Sequence, residues 1–306
     1  MTYTSTGYQV GPSFTPEIVK KLIIFTVAVS IASALFDPIF HRVFTMMGPQ
    51  DWLSLSPLWS QRLFLWQPAT YFFVHPSQSG IHFFFLLQLF FNMYLLWVSG
   101  STLIQELGKR SFLRLYFLCG LFSGVCTLAS MYLLGIYGRL AGCHNIVLGL
   151  LFVWTMFYPR NLIQFFFAIT LEARWLIAIF IGATVLIDIS QLDIIGLIST
   201  LSSVGFAYIF SVAAWDLRSP FPVTHGMDQA IASLGASIQE KWNKNRSSSP
   251  NSSGKIFDIH TGAAIDTEES FMNRMLDKIS SEGEDSLSWL ERRKMRKISE
   301  RKKKED

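Results

Sequence analysis

Six apolar segments alternate with more polar connections over roughly the first 215 residues, and they predict membrane-spanning helices. The segments cover residues 22–36, 81–98, 112–134, 142–157, 175–187 and 194–214. A helix needs about 20 mostly apolar residues to cross a bilayer, so the shorter segments must use part of their flanks. The pattern predicts an all-α, polytopic bundle of six transmembrane helices, with a short N-terminal tail over 1–19 and a membrane domain over 20–215.

The connection between the first two segments, residues 37–80, is long and only partly polar. Trp52, Trp59 and Trp66 alternate there with Pro, Ser, Gln and Arg residues. Tryptophan-rich amphipathic sequence of this kind is typical of the membrane interface. The alternative is an apolar loop that packs on the helices, and composition alone does not separate the two.

Residues 216–306 lack long apolar segments and predict a tail outside the membrane. A flexible linker is expected over 216–270, because residues 243–254 are rich in Ser and Asn. Residues 271–306 predict two short helices, the second of which runs into nine Lys and Arg residues after Trp289. That basic run predicts contact with anionic lipid, or else a solvated helix end. Nucleic-acid binding is disfavoured, since no aromatic residue follows Trp289.

The amino-acid composition excludes an ordinary soluble domain. Half of the 306 residues are hydrophobic, only 16% are charged, and the mean hydropathy is +0.34. The three cysteines, Cys119, Cys126 and Cys143, lie in apolar segments, which argues against a disulfide framework and a cysteine metal site. No cleavable signal peptide is expected, since Lys20 and Lys21 directly precede the first apolar segment.

Basic residues in the short loops predict the orientation. One side of the predicted bundle holds Lys20, Lys21, Lys109, Arg110, Arg114, Arg160, Arg174 and Arg218, and the other holds Arg42, Arg62 and Arg139. Because cytoplasmic loops carry the excess of Lys and Arg, both termini are expected in the cytoplasm.

Two stretches resemble the rhomboid family of intramembrane serine proteases. Residues 141–151 resemble the family's fourth helix, and its Gly-x-Ser-Gly motif falls on Gly142-Cys143-His144-Asn145. Residues 66–75 resemble the start of its second helix. The resemblance implies a six-helix bundle with a half-submerged first loop and cytoplasmic ends. Residues 276–287 resemble a helical element of some bacterial rhomboid-like proteins, so the expected location is a bacterial inner membrane.

The family's catalytic pair is missing from this sequence. The resemblance implies a serine on the fourth helix and a histidine base on the sixth, but His144 stands at the nucleophile position and Gly196 at the base position. No histidine occurs between His144 and His225, which lies beyond the sixth segment. A Cys143–His144 pair is disfavoured because neighbours on a helix do not face each other. His75, His82 and His144 lack metal-ligand spacing, so neither a metal nor another cofactor is expected.

Polar and small residues of the predicted helices remain as candidate site residues. The resemblance implies His-x-x-x-Asn on the second helix as oxyanion donors, and this sequence has Gln88 and Asn92, which share one helix face. They indicate either a residual polar site or a structural amide pair. Small residues on the fourth and sixth helices predict close helix packing: Gly142, Gly149, Ser199 and Ser203.

Together these features predict a rhomboid-like multi-pass protein without the Ser/His dyad, a pseudoprotease. Such a protein would bind or regulate transmembrane segments of partner membrane proteins. The alternatives are an active intramembrane serine endopeptidase that uses an unforeseen residue and, less favoured, an unrelated six-span protein. No charged residue lies mid-span except Asp188 and Asp193, which flank a turn, so no ion pathway is expected.

Overall fold

The computed structural model describes residues 12, 14–57, 64–77, 80–165, 169–247, 268–283, 286–287 and 289–305. Six apolar helices form its main body: α1 (Glu17–Arg42), α4 (Phe83–Leu107), α5 (Lys109–Leu134), α6 (His144–Phe157), α7 (Ala173–Ser190) and α8 (Ile194–Trp215). Five of them are long and apolar enough to cross a membrane, and α6 is shorter. The predicted all-α, polytopic fold is confirmed.

Helix α6 is short and lies at the centre of the bundle. Ten of its 14 residues are buried, and it packs against α4, α7 and α8. Before it, Leu140 forms an isolated bridge with Leu55 of the first loop. Gly142 has φ +101° and donates its N–H to the Tyr71 carbonyl oxygen at 3.0 Å. This left-handed backbone conformation favours glycine and ends the loop just before α6 begins.

Two boundaries differ from those that the apolar pattern predicts. Helix α1 does not end at Asp37 but continues through Pro38 to Arg42, although proline removes one helical hydrogen bond. Residues near 162–172 form an antiparallel pair of strands, β1 (Leu162–Phe165) and β2 (Ile169–Glu172), which the sequence pattern did not predict.

The first loop contains the short helices α2 (Pro49–Leu53) and α3 (Gln67–Thr70), followed by a 3₁₀ turn over Tyr71–Phe73. Trp52 and Trp66 stack on each other and are exposed, whereas Tyr71 and Phe72 are buried. The loop is therefore amphipathic, with exposed tryptophans on one side and a packed aromatic group on the other. Trp59 lies outside the described residues.

The chain divides into two compact units, Met1–Ser233 and Leu234–Asp306. Helix α9 (His225–Ser247) lies within residues 216–270, the stretch predicted as a linker. Residues 248–267 lie outside the described residues. In the second unit, α10 (Glu268–Glu282) and α11 (Trp289–Glu305) are the two predicted short helices, and Lys278 pairs with Glu291 between them at 3.1 Å.

Candidate functional site

A chain of hydrogen-bonded side chains joins α6, α4, the first loop and α1. Nδ1 of His144, at the start of α6, lies 3.3 Å from Oδ1 of Asn92 on α4. Nδ2 of Asn92 lies 3.2 Å from Nε2 of His75, and Nδ1 of His75 lies 3.0 Å from Oγ of Ser30 on α1. Sequence reasoning identified Asn92 and His144 but not the part of His75 and Ser30.

The donors and acceptors in this chain fix its proton positions. Ser30 donates its hydroxyl proton to the Phe73 carbonyl oxygen at 3.1 Å, so it accepts from Nδ1–H of His75. Nε2 of His75 then carries no proton and accepts from the Asn92 amide. Burial, and secondarily the nearby His144, lowers the pKa of His75 to about 4. His75 is therefore a neutral, fully hydrogen-bonded imidazole.

Ser30 and His75 are a serine and an imidazole within hydrogen-bond distance inside the bundle, yet they do not form a catalytic pair. A general base must accept the proton of the nucleophile. In this pair the imidazole donates and the serine hydroxyl faces the Phe73 carbonyl oxygen. Both side chains are also buried, so neither presents an atom to a substrate.

Cys143 lies close to the same imidazole. Its Sγ is 3.8 Å from Nε2 of His75, and the side chain is fully buried. Nε2 already accepts from Asn92, so its lone pair is directed at the amide rather than at the thiol. Cys143 and His75 therefore form a packing contact. This pair is not the Cys143–His144 pair that the sequence analysis considered.

A second polar cluster joins the start of α6 to α8. Asn145 donates its amide to Ser199 Oγ at 2.5 Å and accepts from Thr200 Oγ1 at 3.0 Å. Ser203 Oγ donates to the Asn145 carbonyl oxygen at 2.8 Å. The same Ser199 Oγ also lies 2.9 Å from Ser123 Oγ of α5. These bonds hold α5, α6 and α8 together where an acyl-transfer site would need a nucleophile and a base.

The predicted base position lies elsewhere on α8. Gly196 is one turn before Thr200, and a Cβ built on it would meet the carboxylates of Asp193 and Asp188. The α8 side chains that bond to Asn145 at the start of α6 are those of Ser199, Thr200 and Ser203. In the described part of α8 no imidazole faces α6 at any of these positions.

The remaining predicted site residues separate into packing residues and one exposed amide. Gly149 lies against Ala207, Cys119 and Ser203, with built Cβ distances of 3.2 to 3.3 Å. Gly142 contacts Pro76 and His75. Gln88 is exposed and is not part of the hydrogen-bonded chain that contains Asn92. Gln88 and Asn92, which the sequence presents as a pair, therefore lie in different surroundings.

Asp37, His41 and Asp51 bring three ligand-type atoms within 4.8 Å of one another. The protein itself supplies donors to this cluster. Asp51 pairs with Arg139 and His41, and Asp37 accepts the Gln50 N–H at 3.1 Å. The cluster thereby ties the end of α1 to the first loop.

The fold and the site define a class, the multi-pass integral membrane proteins with a polar cluster inside a helical bundle. Within it, the model of the Rhomboid domain family matches residues 62–215, about half of the chain. The chain belongs to the rhomboid family. None of the curated proteins compared with it shows significant similarity.

Proposed function

We propose that this protein is a rhomboid pseudoprotease that binds transmembrane segments of partner membrane proteins. The observation that carries the proposal is the hydrogen bond between Thr200 and Asn145. It occupies the junction of α6 and α8, where the family resemblance implies a serine and a histidine. A threonine and an asparagine cannot supply a base of suitable pKa for a serine nucleophile.

His144 does not restore the chemistry. Its Nδ1 donates to Asn92 Oδ1, so the imidazole is oriented toward α4 and away from α8. An imidazole nucleophile would attack through Nε2 and would still need a general acid to protonate the leaving amine. No such group contacts it among the described side chains.

The packing of α7 supports the binding half of the proposal. Only Ala173 and Ile177, in its first two turns, are buried, and Leu186, Ile187 and Ile189 near its other end are exposed. Helix α7 packs on α6 and α8 and makes no comparable contact with α4 within the described residues. A partner helix can lie in the opening between α4 and α7 without disturbing the central packing.

Photo-crosslinking in membranes tests client binding. A photoreactive residue at Phe84 on α4 or Leu186 on α7 should give adducts that mass spectrometry maps to transmembrane segments of other proteins. The control position is Phe117, an exposed residue of α5. Equal adduct formation at all three positions would contradict a specific opening.

Labelling with a fluorophosphonate probe separates the pseudoprotease from an active peptidase. We expect no labelling of the unmodified chain. The matched variant is His144→Ser combined with Thr200→His, which places a hydroxyl at the start of α6 and an imidazole on α8 beside Asn145. Labelling of the unmodified chain at a serine would favour the active peptidase.

We also propose that the protein lies in a bacterial inner membrane with both termini in the cytoplasm, as the loop charges indicate. Helix α11 would then face the anionic cytoplasmic leaflet. Its nine basic and three acidic residues give it a strong positive charge, which favours contact with anionic lipid.

A further inference from the structure

Gln88 is a polar side chain on an apolar and exposed surface of α4. It lies one turn before Asn92, which is only 3% exposed, and yet Gln88 itself is exposed. Its neighbours on the helix surface are Phe84, 73% exposed, and Phe91, 51% exposed. Among the described residues none forms a hydrogen bond with the Gln88 amide.

The position of Gln88 on α4 indicates which edge of the helix carries it. At about 100° per residue, Gln88 is offset by about 40° from Asn92 and by about 120° from Gly100. Asn92 faces α6, whereas Gly100 lies close to Val19 of α1 and Phe112 of α5. Gln88 therefore lies beside the face of α4 that packs on α6, on the edge that is remote from α1 and α5.

An amide in that place has unmet hydrogen-bonding capacity. Gln88 lies about 8 Å along the axis from the first residue of α4, and exposed phenylalanines precede it in the first turn. Lipid chains offer neither donors nor acceptors, so a polar group among them gains free energy from a partner helix that supplies both. An amide or hydroxyl side chain on such a helix matches the donor and acceptor pair of glutamine.

We propose that Gln88 is the hydrogen-bonding anchor for a partner transmembrane helix that carries an Asn, Gln, Ser or Thr side chain at the same depth. This inference rests on the proposed binding of transmembrane segments and adds the chemical feature that selects them. The apolar surface of Phe84 and Phe91 provides the packing, and Gln88 provides the discrimination between polar and wholly apolar helices.

The test uses the full chain in lipid vesicles and two synthetic helices. One is a lysine-flanked, 21-residue leucine helix with a single Asn between its middle and one end, at the depth of Gln88. The other has Leu at that position. Association is measured by energy transfer between a dye on the peptide and a dye on the protein. We expect the Asn helix to associate about three- to tenfold more tightly with the unmodified chain.

Three variants make the result specific. Gln88→Leu should bind both helices equally, Gln88→Asn should keep the preference, and Phe90→Leu on the opposite side of α4 should change nothing. Equal binding of both helices by the unmodified chain would overturn the anchor and leave client binding standing. Binding of neither helix would overturn both the anchor and the proposed client binding. If Gln88→Leu lost only its self-association, Gln88 would belong to a contact between copies of the chain.

Discussion

Thr200 donates its hydroxyl proton to Oδ1 of Asn145 at 3.0 Å, and this bond spans α6 and α8 at the point where the family's chemistry would occur. Because the two side chains bond to each other, they serve the packing of α6 on α8. Further bonds from Asn145 to Ser199 and from Ser203 to Asn145 reinforce this contact between α6 and α8.

Removing that hydroxyl should destabilise the bundle by a modest amount. Thr200→Val keeps the shape of the side chain and leaves Asn145 Oδ1 without this donor, so the free energy of unfolding should fall by about 1 kcal/mol. Unfolding in mixed micelles measures the change. Thr184→Val on α7 is the control, because its hydroxyl bonds only its own helix at Phe180. Equal losses in both variants would refute a special role for the α6–α8 bond.

Gly149 should tolerate no side chain larger than a methyl group. Ala207 Cβ, Cys119 Sγ and the Ser203 carbonyl oxygen all lie within 3.3 Å of a Cβ built on it. Gly149→Val should therefore reduce the stability by about 1–3 kcal/mol through overpacking. Gly182→Val on α7 is the matched control, since nothing lies within 4 Å of a Cβ there. The same unfolding assay measures both variants, and equal losses of stability in the two would count against close α6–α8 packing.

The stability should fall as the pH is lowered through the range in which an ordinary histidine gains a proton. The pKa of His75 is about 4 in the folded chain and about 6.5 when unfolded. The unfolded chain thus binds more protons between these values, and folding loses up to about 3 kcal/mol as the pH falls from 6.5 to 4.

Unfolding measured from pH 7.5 to 4.5 checks this prediction against His75→Gln. The glutamine variant retains hydrogen-bonding groups but does not titrate, so its pH dependence should be flatter than that of the unmodified chain. Identical slopes would mean that His75 is not the buried neutral group described above.

Helix α11 should become protected by anionic lipid. Hydrogen exchange of its amides in nanodiscs should slow when anionic lipid is added, because each basic residue near the surface contributes about 1 kcal/mol. Replacing the last four basic residues, Arg301 to Lys304, by Gln should remove most of that protection, and so should high salt. Protection that is independent of lipid charge would contradict the lipid contact, and protection induced only by added RNA would favour nucleic acid instead.

Much of the fold follows from the apolar pattern, but the ends of the elements do not. The six apolar segments each contain a helix of the bundle, because long apolar stretches have few other solutions in a membrane. Tertiary contacts set the rest. Helix α6 starts at His144 because Leu140 pairs with Leu55 and Gly142 takes a left-handed conformation. Neither feature is visible in the local pattern of apolar and polar residues.

The candidate site was only partly predictable for the same reason. The absence of a histidine from α8 is evident in the sequence itself. The position of His75 depends on Ser30, which is 45 residues away in the chain. Gln88 and Asn92 are one turn apart and share a face, but a rotation of about 40° between them places one outside and the other inside the bundle. The α8 side chains that contact Asn145 include Thr200, one turn beyond Gly196, and a contact between two helices cannot be read from a local sequence pattern.

A cleavage assay with a transmembrane substrate and the purified chain in vesicles decides whether this protein is a peptidase. A substrate with a fluorophore on each side of its helix reports any cut, and mass spectrometry identifies the products. We expect no product above that of protein-free vesicles, either from the unmodified chain or from His144→Ala. A defined product from the unmodified chain that disappears on substitution of His144, Cys143 or Ser30 would contradict this expectation.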